Sequence, residues 1–143
     1  MSFAGIELFP FESEVNLKDH LVIGGCDVLD LIDEFDSPLY VYDEKTLRGM
    51  CRQFLSEFTS RYANSRVAYA SKAFVNPAIA RIISEEGLGL DIVSGGELAV
   101  AKAVDFPPDK IYFHGNNKTP EELEFALGYG VGQIVVDSFN ELV

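Results

Sequence analysis

One lysine stands at the close of an otherwise apolar run, Val67-Ala68-Tyr69-Ala70-Ser71-Lys72. An amine at the end of such a strand loses hydration, and desolvation disfavours the ammonium form, which frees a lone pair able to condense with an aldehyde. The same side chain could instead lay its stem along the strand mouth and keep its charge in water, and the run by itself leaves both readings open. Asp91 and His114 stand near the ends of similar runs, and Glu97 follows Ser94 by three residues. A carboxylate beside an amine fixes where the amine's proton sits, and an imidazole can exchange a proton near neutral pH. Each also has a plain structural reading: Asp91 as a strand-end cap, Glu97 as the acidic half of a capping box, His114 as a hydrogen-bonded packing residue. His20 lies in an irregular lead segment with no constellation around it. Neither histidine has partners at metal-ligand spacing, so no metal is expected.

The elements that would position these residues follow from periodicity. From Leu39 onward, short β-branched or aromatic runs alternate with stretches of helical pattern, which predicts repeated βα units around a parallel sheet, an α/β fold. The expected strands are Leu39 to Tyr42, Arg66 to Ser71, Leu88 to Val93, Ile111 to His114 and Gln133 to Asp137. Each runs into a helix start signal. Asp43 can cap a helix through Phe58, Asn76-Pro77 opens the next, and Ser94, Thr119 and Ser138 each precede a glutamate by three residues, at Glu97, Glu122 and Glu141. Strand ends and helix starts therefore gather at one end of the sheet, where free amides and helix dipoles favour anions. Turn signals at Glu86-Gly87-Leu88-Gly89, Phe106-Pro107-Pro108-Asp109 and Gly128-Tyr129-Gly130 close the helices. Residues 1–38 lie outside this repeat and contain Gly24-Gly25 and a short helical run from Asp27 to Phe35.

Composition narrows the function classes. Acidic residues outnumber basic ones by 23 to 11, a net charge of −12 in 143 residues, which disfavours phosphate backbones and anionic lipid. Neither a nucleic-acid nor a membrane partner is expected. Cys26 and Cys51 form no ligand spacing and are expected as partly buried thiols in a reducing cytoplasm. No segment approaches the ~20 apolar residues that span a bilayer, and 48% apolar composition suits a packed domain.

Tyr69-Ala70-Ser71-Lys72-Ala73-Phe74 resembles the cofactor-lysine motif of the alanine-racemase-like pyridoxal phosphate (PLP) enzymes, the group that includes ornithine, arginine and diaminopimelate decarboxylases. Further segments agree in order: Gly87 to Leu98 resembles the second barrel strand and its loop, Phe113-His114-Gly115-Asn116-Asn117-Lys118 the third, Val135-Val136-Asp137-Ser138 the fourth, and Pro38 to Asp43 the lead-in. The loops at Ser94-Gly95-Gly96-Glu97-Leu98 and His114 to Lys118 look most like the diaminopimelate branch.

The resemblance implies the N-terminal portion of a PLP-binding TIM (β/α)8 barrel, incomplete, over residues 39–143, with residues 1–38 lending strands to a second β-rich domain. It implies PLP on Lys72 as the Schiff-base residue, Asp91, His114 and Glu97 as cofactor-binding residues, and a small amino acid as substrate of a cytoplasmic homodimer. Lys118, before the cap Thr119, reads as a solvated or loop-tethering cation. A complete barrel needs ~250 residues, and the pattern stops one turn past Ser138, so a fragment without activity of its own is expected. Decarboxylases of ornithine, arginine or carboxynorspermidine, a non-catalytic PLP carrier and a flavodoxin-like module stay as alternatives.

Overall fold

The computed structural model describes residues 5–142. The chain divides into two compact units, Met1–Met50 and Cys51–Val143.

The first unit holds a small antiparallel sheet of β1 (Glu14–Val15), β2 (Leu21–Ile23) and β3 (Cys26–Asp27), in that order. Gly24 and Gly25 both take positive φ, 57° and 82°, which a tight hairpin between β2 and β3 demands and which side chains resist. Asp27 then caps α1 (Val28–Phe35), its Oδ1 accepting the Leu29 amide at 3.0 Å. His20 does have a constellation, against the sequence expectation. Its Nδ1 lies 2.9 Å from Asp27 Oδ2, which also accepts from Asn16 Nδ2 at 2.8 Å, and Asn16 Oδ1 accepts the amides of Lys18 and His20. The hairpin brings together residues that lie apart along the chain.

Leu39 to Tyr42 is not a strand. Among the described residues it joins no sheet, and its four side chains are exposed. β-Branched and aromatic residues fit a pleated surface but do not make one without a partner ladder. Asp43 caps α2 (Glu44–Arg61) as expected, with Oδ2 accepting the Thr46 amide at 2.9 Å, and the helix runs three residues past Phe58.

The second unit carries four parallel strands in sequence order: β4 (Ala68–Ala70), β5 (Gly89–Ile92), β6 (Ile111–Phe113) and β7 (Gln133–Ile134). Between them run α3 (Pro77–Glu85), α4 (Gly95–Ala103) and α5 (Pro120–Tyr129). Asn76 caps α3 with Pro77 in its first turn, and Ile79, Ala80 and Ile83 form its buried face. Strand alternation sends Leu90, Ile92, Ile111 and Phe113 to the helix-covered side, all fully buried with Phe106 of the α4–β6 connection and Leu98 of α4. Each such side chain contributes about 1.5–3 kcal/mol by leaving water. The opposite face is small and polar, Gly89, Asp91 and Tyr112, in register with Ala68 and Ala70 of β4.

Close packing fixes two glycines. A Cβ on Gly89 would come within 2.8 Å of the Lys110 carbonyl oxygen, and one on Gly132 within 2.4 Å of that of Asp109. The cysteines form no disulfide; Cys51 is buried, but Cys26, at the hairpin turn between β2 and β3, is exposed rather than partly buried. Residues Ser138 onward form a 3-10 turn, Phe139–Leu142, instead of an α-helix, and Val143 lies outside the described residues.

Candidate active site

The carboxyl ends of the parallel strands surround an open cleft of about 940 Å³. Lys72, Asp91 and His114 all line it, each delivered by a different strand. Lys72 follows β4 by two residues, in a 3-10 turn over Ser71–Ala73, rather than closing the strand itself. Ala70 pairs with Asp91, and the His114 amide extends the ladder by donating to the Ile92 carbonyl at 2.8 Å. Three residues separated by 19 and 23 positions along the chain thus meet through register alone.

Asp91 Oδ1 and His114 Nδ1 are hydrogen-bonded. An ionised carboxylate only accepts, so in this pair Nδ1 is the donor, and the Nε2 edge of the ring stays clear of it. The Asp91 side chain is partly covered and that of His114 about half exposed.

Lys72 is exposed. The dehydration expected for an amine ending an apolar strand is absent here, because the 3-10 turn lifts the residue off the strand into the open cleft. Its neighbour Ser71 is buried, with a hydroxyl that has no protein partner among the described residues.

Glu97 is not among the cleft-lining residues. Its amide donates to Ser94 Oγ at 3.3 Å, and its carboxylate takes the Val93 amide at 2.7 Å, one residue before the cap. Glu141 repeats this habit, accepting the Asp137 amide at 2.8 Å. Thr119 and Glu122 alone complete the reciprocal capping box among the described helices.

Sequence reasoning missed two acidic lining residues. Glu122 does more than cap: Oε2 accepts the Thr119 amide at 3.0 Å while Oε1 accepts the Gly95 amide at 2.6 Å, on the next helix. Those two amides hold its carboxyl below the usual carboxylate range. A Cβ at Gly95 would lie 3.0 Å from Glu122 Cγ, so the Gly95-Gly96 pair leaves room for this contact. Asp137, just past β7, lines the cleft too. The signal for it was its place at the end of an expected strand, the same signal that marked Asp91.

The lining can be tested against an aldehyde cofactor with a phosphate. Lys72 is the single lysine among the lining residues, and the nearby Lys118 has a fully buried ammonium committed to oxygen partners. The aldehyde end fits. The N-terminus of α4, a natural phosphate seat, is filled by the Glu122 carboxylate, so these residues fit the reactive end of such a group and not its phosphate.

Comparison with known proteins identifies the family. Residues 46–143 match the family described as pyridoxal-dependent decarboxylase, pyridoxal binding domain. The chain is 50% identical over 130 residues to a diaminopimelate decarboxylase of Bacillus methanolicus, covering 91% of this chain and 30% of the relative. It is 49% identical over 130 residues to that of Bacillus subtilis, with the same coverage. A crystal structure of the M. jannaschii diaminopimelate decarboxylase in complex with L-lysine superposes with a TM-score of 0.80 at 34% identity, over 91% of this chain and 31% of that one. The chain therefore spans about 30% of the length of the curated relatives it matches. The flavodoxin-like alternative falls, and the chain belongs to the pyridoxal-dependent decarboxylase family, in its pyridoxal binding domain.

Proposed function

We propose that this chain forms part of the cofactor site of a diaminopimelate decarboxylase, which removes one carboxyl of meso-2,6-diaminopimelate as carbon dioxide and leaves L-lysine. Lys72 is the amine that takes the aldehyde of PLP. The observation that carries the reading is the meeting of Lys72, Asp91 and His114 in one cleft at the carboxyl ends of parallel strands, the position where barrel enzymes place their chemistry.

When bound, the cofactor supplies an electron sink for the pair left by the departing carboxylate. The chain's own residues supply position and protons. Lys72 Nζ anchors the aldehyde end. Asp91 Oδ1 fixes the His114 ring through Nδ1, and a carboxylate in the cleft favours the protonated form of a nitrogen brought beside it. His114 presents its Nε2 edge and ring face. Asn116 and Asn117 add neutral donors to the rim. Asp91 and Asp137 also line the cleft, and a carboxylate there suits an ammonium group of an amino-acid substrate. In the same reading Glu97 supports the cofactor loop through the Val93 amide rather than by contact.

The whole enzyme, on this proposal, is a cytoplasmic homodimer acting on a free amino acid, with neither nucleic acid nor membrane as partner. The net charge of −12 supports the last two points. No described helix is long and apolar enough to cross a membrane.

Mixing the chain with PLP, reducing with borohydride and mapping the adduct tests the core of the proposal. The label is expected on Lys72, and Lys72→Ala is expected to abolish it. Labelling spread evenly over Lys45, Lys102 and Lys110 would overturn the assignment.

A further inference from the structure

Lys118 is four residues beyond His114, and its ammonium has no exposure to solvent. Nζ donates to the Gly115 carbonyl at 2.6 Å and the Val135 carbonyl at 2.9 Å, and stands 2.9 Å from Glu141 Oε1. It also lies 5.9 Å from the centre of the Phe113 ring. An ammonium has three hydrogens; the two carbonyls each take one, and Glu141 Oε1 meets the charge as an ion pair by distance, without hydrogen-bond geometry. Burying a charge is costly unless it is paired and hydrogen-bonded, so the arrangement resists any movement that separates its members.

Those members belong to two different loops. Gly115 lies in the connection between β6 and α5, whereas Val135 and Glu141 follow β7. The first of these loops is tied on its other side as well. Gly115, at φ +117°, packs so close to β5 that a Cβ there would lie 3.1 Å from the Val93 carbonyl oxygen. Glu122 reaches across to the Gly95 amide. The middle loop of three is therefore clasped from both neighbours, and it is the loop that carries His114, Asn116 and Asn117 into the cleft.

We infer that Lys118 is a positioning residue for the cofactor site: its buried ammonium staples the β6–α5 loop to the segment after β7 and so presets His114, Asn116 and Asn117 before any ligand arrives. It touches neither the cleft nor the reacting atoms. Its role rests on the reading of Lys72 as the cofactor amine, and it deepens that reading by naming what holds the opposite rim still. Partners that orient metal ligands from behind change affinity by about 10–100-fold when removed, and an effect at the lower end of that range is expected here.

The test uses the full chain with Lys118→Met, Lys118→Arg and Glu141→Gln, read by amide hydrogen exchange and by PLP capture at Lys72. Lys118→Met is expected to keep its circular dichroism and the slow exchange of β5 and β6. Exchange over Gly115–Asn117 is expected to quicken, and the apparent PLP affinity to fall about tenfold or more. Lys118→Arg, which keeps the charge but spreads its donors in a plane, is expected to recover part of both. A residue that merely adds stability would loosen β5 and β6 along with the loop and leave capture by the folded fraction unchanged. A folded Lys118→Met with unaltered loop exchange and PLP affinity within about twofold of the unsubstituted chain, well short of that range, overturns the inference. Should Lys118→Met fail to fold, Glu141→Gln decides: faster exchange confined to Gly115–Asn117 supports the staple, and no change there removes it. If the unsubstituted chain captures no PLP at Lys72, the cofactor reading fails on its own, and the exchange data then show whether the staple orders the loop at all.

Discussion

The two units of this chain are held together by different physics. Every buried residue among those described lies at or beyond Cys51. The unit before it has no buried side chain among the described residues and relies on directed polar contacts: Asn16, His20 and Asp27 at the base of the hairpin, and Asp43 with Thr46, whose hydroxyl in turn accepts the Phe11 amide at 2.7 Å. The unit after it has a layered apolar core between a parallel sheet and its helices. Apolar burial is non-directional and strong, whereas exposed hydrogen bonds are specific and individually weak. The second unit can therefore hold chemistry in place, and the first has the weaker hold on its own shape.

Substitutions can break this contrast or sharpen it. The largest effect is expected from Phe113→Ala, which empties a fully buried site and should cost about 3–5 kcal/mol in urea unfolding of the second unit. A loss below ~1 kcal/mol would mean that the core is far looser than its burial implies. Gly132→Ala comes next, because the new methyl would meet the Asp109 carbonyl oxygen; a cost of about 1–3 kcal/mol is expected, read in the same experiment. In the first unit, Asp43→Ala removes a helix cap and should cost about 1 kcal/mol, seen as faster amide exchange over the first turn of α2 with the parallel sheet unaffected. Val22→Ala, on a half-buried strand, is expected to fall within about 0.5 kcal/mol of the unsubstituted chain.

Acid gives the smallest and most selective probe. His20, through its hydrogen bond, holds the Asp27 carboxyl below its ordinary range, and Thr46 does the same for Asp43. A carboxyl whose folded pKa is depressed adds stability that is fully present above the unfolded value of about 3.9 and is lost as pH falls through the lower folded value. Protection against amide exchange, taken relative to the intrinsic rate at each pH, should therefore fall over residues 14–46 below pH ~4 while β5 and β6 stay protected. Glu122 and Glu141 are depressed by backbone amides in the same sense, so the cleft rim is expected to loosen in that window too. Equal acid response in β5 and the hairpin would erase the distinction between the units.

Much of the second unit was legible because its signals are local. Alternating runs marked four of the parallel strands, and Asn76-Pro77 and the Thr119–Glu122 pair marked helix starts that the structure reproduces. The cleft was legible in part, since a strand end is a place that sequence can locate: Lys72, Asp91 and His114 were all found that way. What escaped depends on contacts between distant residues. Leu39 to Tyr42 has strand composition but joins no sheet among the described residues. His20 gained its constellation from a hairpin that folds Asp27 back on it. Glu122 was read as a cap because the spacing to Thr119 explains one oxygen, and nothing in the sequence says that the other reaches Gly95, 27 residues earlier. The exposure of Lys72 was hidden for a similar reason, since a 3-10 turn of three residues leaves no periodicity to read.

β5 is only four residues long, yet it decides which side chains see the cleft. Were it to slide one position against β6, Asp91 would be driven into grease, and Leu90 or Ile92 would face His114 in its stead. The greasy neighbours that never meet a ligand thus act as proofreaders: by refusing water, they keep the one acid between them turned toward its work.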